Sequence, residues 1–316
     1  MSAQRLHRYI EEARSPADYL HLLIDPLAGC FDDHPLSALR LQEALGEEAL
    51  SIVQRADLVH APHECPLVAT LARPDHPFNA DLFAASHAYA AEAAPGGKRY
   101  VCGWIVTAED ATSVAGHLAN RCLVNHAGQA RTWPMFEPLR MELLAVSLKQ
   151  DTGRWLWPIK EWVLPSSSGG VFRLRGAHGD GPPDWSSEAL GAQHDVSAVA
   201  AVLAAWQRLS SQPMSPGLLQ QAPRHWAGPG LPEGAAAKAL HHLRQARQLG
   251  LPPGEDRIVF ALHSLTVHPH WDTHPQLRPH IVQALASKAP LADALARIED
   301  WIWQRAIHEL TAEPRG

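Results

Sequence analysis

The residues that could do chemistry are densest near the C-terminus, in the segment from His268 to His274. Neutral imidazole and carboxylate groups both bind zinc or iron, so this segment could serve a metal-dependent hydrolase. The candidate ligands are His268, His270, Asp272 and His274. The other interpretation is a polar turn between two helices, since Pro275 stands where a helix would begin. We favour the turn and keep the metal-dependent hydrolase as the alternative.

Two further clusters mix possible nucleophiles, bases and metal ligands. One is Cys30-Phe31-Asp32-Asp33-His34 and the other is His63-Glu64-Cys65. Each could be half of a metal site, or a nucleophile with its base. Both lie in proline-bounded loops without an oxyanion-hole motif, and the Gly-x-Ser-x-Gly, His-Glu-x-x-His and phosphate-loop motifs are absent. The sequence therefore predicts a protein that is not an enzyme and that needs no metal or other cofactor.

Tryptophan is unusually frequent, with 11 residues against four tyrosines and six phenylalanines. Four of them crowd one stretch, where we expect core packing: Trp133, Trp155, Trp157 and Trp162. Trp226, in a Pro/Gly-rich stretch, and Trp271, in a turn, are expected to be exposed. Trp301 and Trp303 stand two apart on a predicted helix and cannot both face one core, so one should be partly exposed. These last four residues are the predicted partner-binding positions, because tryptophan supplies large anchors at interfaces.

The composition excludes several classes of protein. The chain has 316 residues with 46% hydrophobic and 19% charged side chains, which is a globular balance rather than a disordered one. A net charge of −6 is a poor match for nucleic acid or an anionic membrane. The N-terminus lacks the apolar core of a signal peptide, and the longest apolar run, 198–206, is far below the roughly 20 residues of a spanning helix. We therefore expect a cytoplasmic protein without a membrane anchor.

The first part of the chain alternates strands with helices, which favours an α/β lobe over residues 1–185 with a mixed sheet and flanking helices. The predicted strands are Tyr19–Ile24, Leu67–Leu71, Tyr100–Thr107, Arg131–Phe136 and Val171–Arg175, with helices between them. Tyr100–Thr107 should be central, because it is apolar and contains no proline.

The rest of the chain changes character. Residues 186–234 combine a helix from Val196 to about Leu209 with a linker, since nine of the 24 positions from Ser211 to Gly234 are proline or glycine. Residues 235–316 read as an all-helical lobe. Its last helix is predicted to be long, with one apolar stripe formed by Leu291, Leu295, Ile298 and Ile302.

The order of several segments resembles one bacterial family. The segments are Tyr19-Leu20-His21-Leu22-Leu23-Ile24-Asp25, Pro66-Leu67-Val68, Cys102-Gly103-Trp104, Gly116-His117-Leu118, Met135-Phe136-Glu137-Pro138-Leu139-Arg140 and Trp157-Pro158-Ile159-Lys160-Glu161-Trp162. The chain is similar to the type VI secretion effector adaptors or chaperones (Tap/Tec), named for the domain of unknown function 4123. Glu137 replaces the family's aspartate before proline, Leu139 precedes Arg140, and Trp157 replaces a glycine.

The resemblance implies a role without chemistry. Members of this family hold a toxic effector in the cytoplasm and load it onto the VgrG spike protein before secretion. It implies an effector and VgrG as partners, with neither nucleic acid nor membrane involved, and an ordinary inter-helix turn at His268–His274. We expect the helical lobe, through Trp301 or Trp303, to hold the effector while the α/β lobe faces the spike.

Overall fold

The structure is a computed structural model, and it describes residues 2–94, 96–126, 128–179, 181–211 and 230–312. Internal contacts divide the chain into two compact units, Met1–Gln193 and His194–Gly316. The first unit contains a sheet with helices, and the described part of the second contains helices alone. The fold class predicted from the sequence, an α/β lobe followed by an all-helical part, is confirmed.

The first unit alternates strands and helices along the chain. Its strands are β1 (Tyr19–Ile24), β2 (Leu50–Ile52), β3 (Leu67–Ala72), β4 (Val101–Thr107), β5 (Leu123–His126), β6 (Gln129–Thr132), β7 (Glu161–Pro165) and β8 (Val171–Arg175). Its helices are α1 (Ala3–Ala13), α2 (Ala38–Leu45), α3 (Ala80–Glu92), α4 (Ala111–Cys122), α5 (Pro138–Leu148), α6 (Thr152–Leu156) and α7 (Ser187–His194). Side chains cap several of these helices, as where Asn79 Oδ1 accepts from Leu82 N at the start of α3.

Six strands form one sheet in the order β2-β3-β1-β4-β7-β8. The prediction that Tyr100–Thr107 is central is confirmed, because β4 pairs with β1 and β7 and all its residues are buried. We expected a mixed sheet, whereas every described pairing is antiparallel. The helix α3 does connect two parallel strands, but β1 lies between them, so β3 and β4 never pair. The predicted strand Arg131–Phe136 is also corrected, since β6 ends at Thr132 and belongs to a separate two-stranded sheet with β5.

The six-stranded sheet is covered on both faces. One core combines sheet residues such as Leu22 and Trp104 with α1, α2 and α3. The other combines sheet residues such as Ile105 and Trp162 with α4, α5 and α6. The unit therefore has three layers, which explains why its central strands are continuous apolar runs rather than alternating ones.

Gly103 in β4 allows the sheet to pack against Trp162 of β7. Its φ is +134°, and a Cβ there would lie 2.4 Å from Val163 O and 2.6 Å from Trp162 Nε1. The Trp162 indole is fully buried in the core beside α4 and α5. Any larger residue at position 103 must displace a backbone carbonyl and a buried indole.

The second unit is helical throughout its described residues. Its helices are α8 (Val196–Ser211), α9 (Ala235–Gln248), α10 (Glu255–Thr266), α11 (Arg278–Ser287), α12 (Leu291–Leu295) and α13 (Asp300–Ala312). The prediction of a single long last helix from the apolar stripe is wrong, because α12 ends at Leu295 and α13 begins at Asp300. Leu291, Leu295 and Ile298 are still buried together, so the apolar stripe continues from α12 into the segment between the two helices. Most of the predicted linker, residues 212–229, lies outside the described residues.

Among the described residues, none of the helices combines the length and apolar character that a membrane span requires.

We predict that Gly103→Ala lowers the free energy of unfolding by about 3 kcal/mol, because the new Cβ overpacks the core and the φ is unfavourable for alanine. Urea denaturation followed by circular dichroism measures this change. Gly116→Ala is the matched control: Gly116 lies in α4 with nothing within 4 Å of its added Cβ, so the same substitution should stabilise by up to about 1 kcal/mol. Equal effects at the two positions would contradict the packing argument.

Candidate functional site

The four tryptophans predicted to bind partners differ in how exposed they are in the structure. Trp271 was expected to be exposed in a turn, but it is fully buried. It lies in a single helical turn, Trp271–Thr273, that directs the indole inward, where Nε1 donates to Ser264 Oγ at 3.1 Å. Trp271 is therefore a core residue and is withdrawn as a contact residue. Trp226 lies outside the described residues.

The prediction that one of Trp301 and Trp303 is exposed is confirmed. The Trp301 side chain is 53% exposed, and its Nε1 donates to Glu299 Oε2. Trp303 instead packs on the second unit's core, with its ring centroid 5.9 Å from that of Trp271. Trp301 is thus the large aromatic side chain that α13 presents to solvent.

A stacked aromatic group fixes the position of α13. The imidazole of His263 lies 5.3 Å from the Trp271 ring and 5.5 Å from the Trp303 ring. His263 Nδ1 donates to Val259 O at 2.8 Å, and burial lowers the pKa of this imidazole, which favours the neutral ring. The helix that carries Trp301 is therefore held by aromatic contacts, together with the contact of its Glu309 Oε2 with His274 Nε2.

The histidine segment of the tail forms a turn. His274 is buried and uses both ring nitrogens: Nδ1 accepts from Gln276 N at 3.3 Å, and Nε2 contacts Glu309 Oε2 at 3.0 Å. His268 Nδ1 accepts from His270 N. In the described part of the chain, no group of three or more His, Cys, Asp or Glu side chains has a geometry that could hold a metal ion. The turn interpretation agrees with these contacts.

The residues of the other two mixed clusters differ in exposure. Cys65 is buried, whereas Phe31 is 79% exposed and is one of the most exposed large apolar side chains described. Burial raises the pKa of the Cys30 thiol, near Tyr89 and Tyr100, so this thiol is poorly suited to act as a nucleophile. The first cluster therefore offers an apolar contact rather than a reactive group.

The loop that follows β1 and the loop between β2 and β3 contact each other in the first unit. The helical turns Pro26–Ala28 and Pro62–Glu64 pack together. Each loop carries an exposed apolar side chain, Phe31 in the first and Val59, also 79% exposed, in the second. We call Phe31 and Val59 the loop pair. Sequence reasoning missed Val59, since nothing in its local sequence separates it from a core valine.

A buried polar group lies where β1 ends. Asp25 is only 1% exposed: its Oδ1 accepts from Leu27 N, while Oδ2 has no hydrogen-bond partner. Arg55, 8% exposed, binds Asp57 with Nε and Nη2 but leaves Nη1 without a partner. Asp25 and Arg55 interact electrostatically without a direct hydrogen bond. We call Asp25, Arg55 and Asp57 the β1-end cluster.

The segment around Phe136 completes the surroundings of the β1-end cluster. The guanidinium of Arg55 lies 5.7 Å from the centre of the Phe136 ring, a cation–π contact. Glu137 binds Arg140 at 3.1 Å and acts electrostatically on Asp25. Two of the segments that carry the family resemblance thus meet here. Arg55 was not singled out from the sequence, because an arginine in a loop has no distinguishing pattern until the fold buries it.

Comparisons of the chain with known protein families, with curated proteins and with solved structures find no match.

We predict opposite pH dependences for the two carboxylates of the β1-end cluster. Burial raises the pKa of Asp25, so its ionisation opposes folding above about pH 4, whereas the bond to Arg55 lowers the pKa of Asp57, so its ionisation favours folding there. At pH 7, Asp25→Asn should therefore be more stable than the wild type and Asp57→Asn less stable. The Asp25→Asn difference should shrink as the pH falls towards about 4, whereas the Asp57→Asn difference should persist down to about pH 4 and shrink only below it, which urea denaturation from about pH 7 to 3 measures. A destabilising Asp25→Asn at pH 7 would show that the buried carboxylate is compensated.

Proposed function

We propose that the protein is a non-enzymatic adaptor of type VI secretion, which binds a toxic effector in the cytoplasm and loads it onto VgrG. The observation that carries this proposal is how the resembling segments are arranged in the first unit. They lie on β1, β3, β4, α4, α5 and β7 and pack around one sheet instead of being scattered over its surface.

Specific contacts join these segments. Leu23 of β1 stands opposite Val68 of β3 on one side and Gly103 of β4 on the other. Gly103 in turn accommodates Trp162 of β7. These contacts support the proposal, because they show that the segments that carry the resemblance belong to one folded unit.

The exposed apolar side chains supply surfaces for two protein partners. Trp301 on α13 is the candidate contact for the effector, and the loop pair is the candidate contact for VgrG. Truncation of an exposed aromatic anchor commonly costs an interface 2 kcal/mol or more, roughly a 30-fold loss of affinity. The two contacts lie in different units, so they should be separable by mutation.

We predict that Trp301→Ala weakens effector binding about tenfold or more and leaves VgrG binding unchanged. The Phe31→Ala/Val59→Ala double variant should have the converse effect. The test is to co-express the full chain with the effector and the VgrG encoded beside it, and to measure each affinity by calorimetry. Val282→Ala is the matched control, because Val282 is another exposed apolar side chain of the second unit, at 55% exposure.

The outcomes separate two questions. If the wild type binds neither the effector nor VgrG, the proposed function is wrong. If it binds both and Trp301→Ala behaves like Val282→Ala, only the assignment of the effector contact to α13 is wrong.

A further inference from the structure

The sheet of the first unit has an open edge at β8. This strand pairs with β7 on one side, and no other described strand pairs with it on the other. It has five residues in regular register with β7, without a proline or a bulge. Such an edge offers a row of backbone donors and acceptors to another chain.

The register shows which backbone groups of the pair point inward. Just beyond the two ends of the paired strands, Gly176 N donates to Lys160 O at 2.9 Å and Ser166 N donates to Gly170 O at 2.8 Å. Both pairs continue the β7–β8 register. In an antiparallel ladder, hydrogen-bonded pairs alternate with non-hydrogen-bonded pairs. Counting from either end assigns the same β8 residues to the hydrogen-bonded positions.

Phe172 and Leu174 are therefore the β8 residues bonded to β7. The N–H and C=O groups of Val171, Arg173 and Arg175 point away from β7. The groups of Val171 and Arg173 face the open edge, whereas the Arg175 carbonyl lies against Gly153 of α6: a Cβ on Gly153 would be 3.0 Å from Arg175 O, and Gly153 O accepts from Ala177 N. Val171 and Arg173 can therefore pair with two alternate residues of an added strand.

The side chains on this edge are basic. The Arg173 guanidinium lies 4.7 Å from the centre of the Tyr9 ring, which holds it over α1 without a carboxylate partner among the described residues. Arg175 binds the buried Glu161 through Nε at 3.0 Å, and its side chain remains 75% exposed. Tyr9 Oη also donates to Glu161, so the residue that Arg173 contacts is bonded to the residue that Arg175 binds.

The two faces of the sheet at β8 carry different side chains. An added strand would place alternate residues beside Arg173 and Arg175, where carboxylates are favoured. The intervening residues would lie on the face of Phe172 and Leu174, which belongs to an apolar core. The segment that fits this edge alternates acidic and apolar residues.

We propose that the open edge of β8 binds an extended segment of a partner protein, in which acidic residues alternate with apolar ones, as a further strand of the sheet. The backbone groups of Val171 and Arg173 supply the hydrogen bonds, and the side chains of Arg173 and Arg175 select for acidic residues. This binding mode goes beyond the proposed function, because it concerns the chemistry of a contact and holds for any partner with such a segment.

The test uses the full chain and a fluorescein-labelled peptide of alternating Glu and Val, titrated by fluorescence anisotropy. We expect saturable binding that weakens at high salt, and slower hydrogen exchange at the amides of Val171 and Arg173 when the peptide is bound. Two control peptides are used with the unaltered protein. One replaces Glu by Lys, and the other carries N-methyl groups on the peptide bonds that would face β8. Both should bind at least about tenfold more weakly.

Variants locate the binding to this edge. Arg173→Glu should weaken binding of the Glu–Val peptide about tenfold, whereas Arg131→Glu, the same charge change on the exposed strand β6, should have less than a twofold effect. Val171→Pro removes one outward N–H at the first residue of the strand and leaves the β7 ladder intact, so it should also weaken binding.

Several results would overturn the proposal. If the Glu–Val peptide does not bind, or the N-methylated peptide binds equally well, the arginines only protect the edge from self-association. Equal binding of the Lys–Val peptide, or protection of the amides of Val171 and Arg173 in the free protein, would also overturn it. The peptide controls leave the protein unchanged, so the proposal stays testable even if a variant fails to fold.

Discussion

The approach of β4 to Trp162 is the constraint on which the first unit depends. The indole can lie against the strand only because Gly103 has no Cβ, since an added carbon would come within 2.6 Å of the ring nitrogen. Trp162 then fills the core between the sheet and the helices α4 and α5. The same glycine stands opposite Leu23 of β1, so the central strand pair and the β7–β8 edge are fixed by one close contact. Changes at this point should therefore affect both the sheet and the surfaces that it supports.

Some buried polar groups of the unit are fully bonded, whereas other buried polar atoms have no hydrogen-bond partner, among them Thr152 Oγ1 and Trp162 Nε1 as well as two atoms of the β1-end cluster. Glu142 is 8% exposed and accepts from both the backbone N and the hydroxyl of Ser167. Asp18 is bound by Lys160 at 2.6 Å. Asp25 and Arg55, by contrast, each keep an unpartnered atom although both are more than nine-tenths buried. A buried polar atom without a partner costs stability, and the electrostatic interaction between Asp25 and Arg55 offsets part of that cost.

The elements that could be predicted from sequence are those whose signals are local. β1 was predicted with both ends correct, because an apolar run lies between Asp18 and Asp25. β2 was missed because three residues carry no period, and β7 was missed because it begins with a buried glutamate and ends with a proline. Among the site residues, helical spacing alone predicted that one of Trp301 and Trp303 is exposed, but not that it is Trp301. The burial of Trp271 depends on an acceptor seven residues away, Ser264, and could not be predicted from the turn itself.

The two edges of the sheet are protected in different ways, and the difference bears on how the unit meets other proteins. β2 is only three residues long, and the hydroxyl of Ser51 contacts that of Thr112 on α4 at 3.0 Å. A strand this short offers too few backbone groups to hold an added strand. β8 is longer and regular; α6 covers its edge at Arg175, and two arginines protect the rest. The short length of β2 disfavours an added strand of any charge. The arginines of β8 disfavour only added strands that are basic or neutral. An edge guarded by arginine is therefore closed to most chains, including a second copy of itself, and open to an acidic one.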